Sequence, residues 1–179
     1  MRHIVLLRGI NVGGHNKLPM AELREVCAGL GCADVRTYIQ SGNVVCDVPA
    51  AAGRTLGRRL AAAIAARWGY DVPVIVRRAD AWARVVAACP LAPIDVAAEG
   101  GRVFVMFLDA EPAAERVADL RARVTPPEEL VVVGREVHLR CPAGYADTKL
   151  NGNTVERVLG VAATARNWKT VLKLHEMAG

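Results

Sequence analysis

An α+β fold, two tandem βαββα(β) halves with additional C-terminal helices, is what this chain of 179 residues predicts. Three observations lead there. Over residues 1–89, apolar β-rich runs and runs of helical period follow one another in the order β-α-β-β-α-β. A related order returns over residues 102–179. Between them, residues 90–101 hold two prolines and a Gly-Gly pair and read as a linker.

Each element has its own signal. His3–Arg8 is an apolar strand ending at Gly9. After a polar, glycine-rich loop, Pro19 suits a first helical position. Met20, Leu23, Val26, Cys27 and Leu30 then recur at helical spacing, and Gly31 closes that helix. Asp34–Gln40 alternates as a strand, Ser41-Gly42-Asn43 is a tight turn, and Val44–Val48 is the returning strand. A helix over Ala51–Trp68 turns Leu56, Leu60, Ala63 and Ile64 inward, and Val72–Arg77 is a fourth strand. Asp80 then caps a helix running to Cys89. This is the ferredoxin-like order. In the second half, Arg102–Leu108 is a strand, Pro112–Val124 a helix, and Leu130–Val133 with Glu136–Arg140 a hairpin about Gly134-Arg135. Two helices complete it, near Thr154–Leu159 and Ala165–Met177, the latter capped by Thr164. The opening strands of both halves are apolar at successive positions, so both faces of each sheet are expected to be covered.

Composition narrows the function classes. Hydrophobic residues make up 53% of the chain, enough for a packed core. No apolar run approaches the roughly 20 residues of a membrane-spanning helix, and the short N-terminal apolar stretch reads as a strand rather than a leader. A cytoplasmic location is the expectation. The five cysteines have no CxxC spacing and read as buried free thiols of a reducing compartment. His3, His15, His138 and His175 are scattered, so no metal site is expected. Between Arg54 and Arg84 stand seven basic and two acidic residues, while the remainder is balanced. That local excess suits an acidic partner or a polyanion.

Topology brings polar residues together. In a βαββαβ unit, the loop leaving the first strand and the hairpin joining the second and third lie at one end of the sheet. The loop carries Asn11, Gly13, Gly14, His15, Asn16 and Lys17; the hairpin carries Gln40, Ser41 and Asn43; Arg8 stands beside them. Amides, a hydroxyl and cations beside a helix N-terminus make a candidate anion or phosphate pocket. Turn chemistry alone also accounts for Gly-Gly and for Asn residues in left-handed conformations. Lys149, Arg166 and Asn167 are candidates to join this cluster from the second half. The loop has the G-x-x-x-x-G spacing of a phosphate-binding loop, but His15 and Asn16 follow where Lys and Ser/Thr belong. No G-x-G-x-x-G fingerprint supports a dinucleotide site.

Three segments then carry a resemblance. Leu6 to Met20 (LLRGINVGGHNKLPM), Tyr38 to Val44 (YIQSGNV) and Thr164 to Val171 (TARNWKTV) resemble bacterial domain-of-unknown-function family 1697. The resemblance covers essentially the whole chain and implies a tandem ferredoxin-like α+β fold. It implies no catalytic residue, cofactor or substrate. The family often has Phe where this chain has Cys46, a difference of packing.

Four functional readings follow. The first is binding of a phosphorylated small molecule or nucleotide at the glycine-rich loop. The second is nucleic-acid binding through Arg54–Arg84, against which stands the lack of aromatic residues for base stacking on the first and third strands. The third is an enzyme, with His15, Lys17 and Ser41 as actors; no nucleophile–base arrangement can be named. The fourth is a homo-oligomeric interaction protein without catalysis. No cofactor is identified.

Overall fold

The computed structural model describes all 179 residues. Its elements are β1 (Arg2–Leu7), α1 (Met20–Gly29), β2 (Ala33–Tyr38), β3 (Asn43–Asp47), α2 (Ala50–Trp68), β4 (Val74–Arg78), α3 (Ala79–Ala87), α4 (Val96–Glu99), β5 (Val103–Leu108), α5 (Ala114–Arg121), β6 (Glu129–Val133), β7 (Glu136–Arg140), α6 (Gly152–Leu159), β8 (Ala163–Asn167) and α7 (Trp168–Ala178). They form two four-stranded sheets, ordered β2-β3-β1-β4 and β6-β7-β5-β8, with every pairing antiparallel. The strand order is the same in both sheets, which is the tandem α+β arrangement expected from the sequence. The chain divides into two compact units, Met1–Arg84 with Leu174–Gly179, and Val85–Lys173.

In the first unit, one face of the sheet supports α1 and α2. Val5, Leu7, Val44 and Cys46 pack there with Leu23 and Cys27 of α1 and Leu56, Leu60 and Ile64 of α2. Alternation sends Ile4 and Leu6 to the other face, and they too are fully buried. Hence β1 reads as a continuous apolar run. In the second unit, Met106, Leu108, Val137 and Leu139 pack with Leu120 of α5 and Val155, Val158 and Leu159 of α6. No helix is long and apolar enough to cross a membrane.

Several local expectations need correction. The segment 163–167 is not the start of a helix. It is β8, with Ala165 opposite Met106 and Arg166 opposite Val105. Thr164 therefore lies inside a strand, and the cap of α7 is Asn167, whose Oδ1 accepts from the Thr170 N–H at 2.9 Å. Pairing with the apolar β5 overrides the helical propensity of this short segment. The first hairpin is also wider than read. Tyr38 pairs with Asn43, so the turn is Ile39–Gly42 and Asn43 belongs to β3. Asp80 does not cap a helix from outside; α3 begins at Ala79, and Asp80 in its first turn binds Arg78. Residues 90–101, read as a linker, lie within the second compact unit. They contain α4, capped by Asp95 Oδ1 on the Ala97 and Ala98 N–H groups. Arg140 ties this stretch down, donating to the Leu91 carbonyl at 2.8 Å and pairing with Glu99 and Glu129.

Candidate functional site

The loop between β1 and α1 is a miniature hairpin. The His15 N–H donates to the Val12 carbonyl at 3.0 Å, and Val12 and His15 form a β-bridge. Its apex is Gly13-Gly14, with φ of 57° and 80°. Positive φ at both central residues is the requirement of a primed two-residue turn, and Gly-Gly meets it without strain. Asn11 and Asn16 flank the apex, and both also hold positive φ, 55° and 47°. Asparagine is among the few residues that tolerate this region.

The side chains of those asparagines hold the loop in place. Asn11 Nδ2 donates to the Leu18 carbonyl at 3.0 Å and to the Gln40 carbonyl at 2.8 Å. Its Oδ1 accepts from the Leu18 N–H at 2.8 Å. Asn16 Nδ2 donates to the Gly9 carbonyl at 3.0 Å. The loop thus abuts the β2–β3 turn, the adjacency that the topology predicted. The Leu7 N–H donates to the Gly42 carbonyl at 2.8 Å, closing the same junction from below. Gly42 is required there twice over: its φ is 75°, and a Cβ would stand 2.6 Å from Leu7 Cβ.

Adjacency does not make every polar residue available. Asn43 is fully buried, and its Nδ2 donates to the Tyr38 carbonyl at 3.1 Å and to Ser41 Oγ at 2.9 Å. Asn11, Asn16 and Asn43 are therefore structural members of the junction. Gln40 contributes its carbonyl to it. Gly13, Gly14, His15 and Lys17 are exposed, with Arg8 and Ser41 half-buried. The helix that follows, α1, has Pro19 at its N-cap position and no side-chain cap.

Lys149, Arg166 and Asn167 belong to the second unit. Lys149 is exposed there. Arg166 is buried, and its Nη1 donates to Thr164 Oγ1 and the Ala165 carbonyl, both at 2.8 Å. Burial pushes its pKa down to about 10. Asn167 caps α7.

The basic stretch is largely occupied within the protein. Arg67 pairs with Glu22 at 2.6 Å and lies over the Trp68 ring. Arg78 and Arg84 pair with Asp80. Arg77 is buried, and Arg59 donates to the Leu30 carbonyl.

Two sulfur groupings emerge that spacing did not single out. In the second unit, Cys89 Sγ lies 3.8 Å from His138 Nδ1, both buried. Burial pushes the Cys89 thiol up and His138 down to about 4. Both shifts oppose a thiolate–imidazolium pair, so this is a neutral thiol beside a neutral imidazole. The partners are 49 residues apart, and no local pattern announces them. In the first unit, Cys27, Cys32 and Cys46 are buried in one core cluster, and the Cys32 N–H donates to the Cys27 carbonyl at 3.1 Å. Here a signal was present, because Gly31 fixes where Cys27 and Cys32 meet.

Fold and junction define a tandem ferredoxin-like α+β protein with a locked, glycine-tipped loop at one end of its first sheet. The chain belongs to the family described as protein of unknown function (DUF1697), whose model matches residues 1–138. In structure it is similar to a conserved bacterial protein, SP0830 from Streptococcus pneumoniae, with a TM-score of 0.78 and 24% identity. That likeness covers 99% of this chain and 98% of the other, and it shows the fold. A comparison with curated proteins finds no match.

Proposed function

We propose that the Val12–Lys17 hairpin binds a small phosphorylated or otherwise anionic molecule. One observation carries the reading. Asn11 and Asn16 spend their side chains holding the loop's shape, while its glycine apex, His15 and Lys17 face solvent. A preorganised loop loses little conformational entropy on binding. Lys17 supplies fixed positive charge, and exposed glycine amides allow close approach of a phosphate. The uncapped start of α1 adds the favourable end of a helix dipole. In this reading Arg8, Gly13, Gly14, His15, Lys17 and Ser41 form the ligand set, and the three asparagines support it.

The test is thermal-shift and calorimetric titration with inorganic phosphate, nucleotides and sugar phosphates. A ligand at ten times its Kd stabilises the native state by about 1.4 kcal/mol. A Lys17→Ala/His15→Ala variant is expected to lose that stabilisation while keeping the parent's unfolding midpoint without ligand. No stabilisation by any of these anions at millimolar concentration overturns the reading. So does stabilisation that survives in the variant. The nucleic-acid reading has less support, because Arg67, Arg78 and Arg84 are paired with carboxylates.

A further inference from the structure

We propose that Cys27 and Cys32 are a redox-modification site: a hydroperoxide oxidises Cys32 first, and Cys27 then closes a reversible disulfide with it. The argument starts at the end of α1. The Cys32 N–H donates to the Cys27 carbonyl at 3.1 Å, and the Gly31 N–H to the Ala28 carbonyl at 2.9 Å. Gly31 has φ of 86°. These two bonds about a left-handed glycine are the Schellman cap, which also brings the side chains of its first and last residues together. In most helices that contact is between two apolar groups. Here the two residues so placed are Cys27 and Cys32, both buried in the same cluster.

A third sulfur joins them from the sheet. Cys46 of β3 stands opposite His3 of β1, on the face that supports the helices. Cys32 shares this buried cluster with both other thiols. It is also the most accessible, at 7% exposure against 1% for Cys27 and 0% for Cys46. Neighbouring thiols favour negative charge on Cys32 over Cys27 and Cys46. Arg59, which donates to the Leu30 carbonyl, lies close enough to favour it electrostatically. The Cys32 thiol is accordingly lowered, and those of Cys27 and Cys46 are raised. A thiolate flanked by a resolving thiol is the chemical form of a peroxide-sensitive site. The remaining cysteines differ. Burial pushes the Cys89 thiol up, and it pushes Cys141 up to about 11.

The chemistry balances. The Cys32 thiolate attacks one oxygen of hydrogen peroxide. An S–O bond forms, the O–O bond breaks, and the departing hydroxide leaves as water after taking a proton. Sulfur has then lost two electrons and is a sulfenic acid. The Cys27 sulfur attacks it, the S–S bond forms, the S–O bond breaks, and the Cys27 proton leaves with hydroxide as a second water. Two thiols and one peroxide yield one disulfide and two waters. A dithiol reductant reverses the change.

Trypsin digestion makes the test direct, because Arg24 and Arg36 bound one peptide, Glu25–Arg36, holding both cysteines. The full chain is treated with a small excess of hydrogen peroxide, alkylated with N-ethylmaleimide under denaturing conditions, digested and weighed. The expected peptide is unalkylated and lighter by two hydrogens, and dithiothreitol restores both alkylation sites. Cys89 and Cys141 remain alkylated. Cys32→Ser, verified as folded by circular dichroism, forms no disulfide; Cys89→Ser forms it at the parent rate. Three results would overturn the proposal: oxidation of Cys32 no faster than that of Cys89 and Cys141, a bond to Cys46 instead of Cys27, or an undiminished disulfide yield in Cys32→Ser.

Discussion

Arg77 and Arg166 occupy the same place in the two halves. Arg77 stands opposite Ile4 across the β1–β4 pairing, and Arg166 stands opposite Val105 across β5–β8. Ile4 and Val105 are each the third residue of a six-residue central strand. Both arginines are nearly inaccessible, at 4% and 8% exposure. The two sheets thus share a buried arginine at one register position as well as a strand order.

The cation at this position is expected to make stability depend on pH once it becomes titratable. Burial lowers the pKa of Arg166, so it disfavours the charged form. In Arg166→Lys, the same burial is expected to hold the folded-state lysine below its ordinary value of about 10.4. Between the two values the unfolded chain binds the proton and the folded one does not, so stability rises with pH. Urea denaturation of Arg166→Lys is therefore expected to show a gain from neutral pH toward pH 10, relative to the parent. A constant difference between the two proteins would contradict this.

Asn11 is expected to be worth more than a surface residue. Its side chain makes three hydrogen bonds that join β1, the start of α1 and the β2–β3 turn. Asn11→Ala removes them and leaves a non-glycine residue at positive φ. A loss of about 2–3 kcal/mol is expected in equilibrium unfolding, with faster proteolysis near Lys17. Asn11→Gly relieves the backbone strain but not the lost bonds and should fall between the two. Equal stability of all three proteins would mean that the junction is held by other contacts.

His138 should contribute an acid-side loss. Its pKa falls from 6.5 to about 4 on folding, because burial disfavours the imidazolium. Above pH 6.5 both states are neutral and there is no penalty. As pH falls toward 4, the unfolded chain takes up a proton that the folded chain refuses, at up to about 3 kcal/mol. His138→Leu removes this component. Its stability relative to the parent is expected to improve steadily between pH 6.5 and 4, as read by urea midpoints. Parallel curves over that window would show that the imidazole is hydrated.

The strand order and helix faces were legible because the apolar periods of β1, α2 and β5 are strong. β8 was not. Thr164-Ala165-Arg166-Asn167 has the composition of a helix start, and only its pairing with β5 makes it a strand. The loop's position beside the hairpin followed from topology. Its internal economy did not, since asparagines that bind a ligand and asparagines that bind the backbone look alike in sequence. Cys27 and Cys32 were read one at a time as inert core thiols, although Gly31 between them had already been identified as a helix stop. Cys89 and His138 meet only through tertiary folding.

Strand and helix meet twice without an intervening residue, at Arg78–Ala79 and at Asn167–Trp168. Each helix therefore inherits its rotational phase from the strand before it. Inserting one residue at either point would turn the following helix by about 100° about its axis. A slip of the strand by one residue would instead exchange its inward and outward side chains. The two junctions act as keyed couplings, and length variation in this fold is expected to concentrate elsewhere, at loop tips such as Gly134-Arg135.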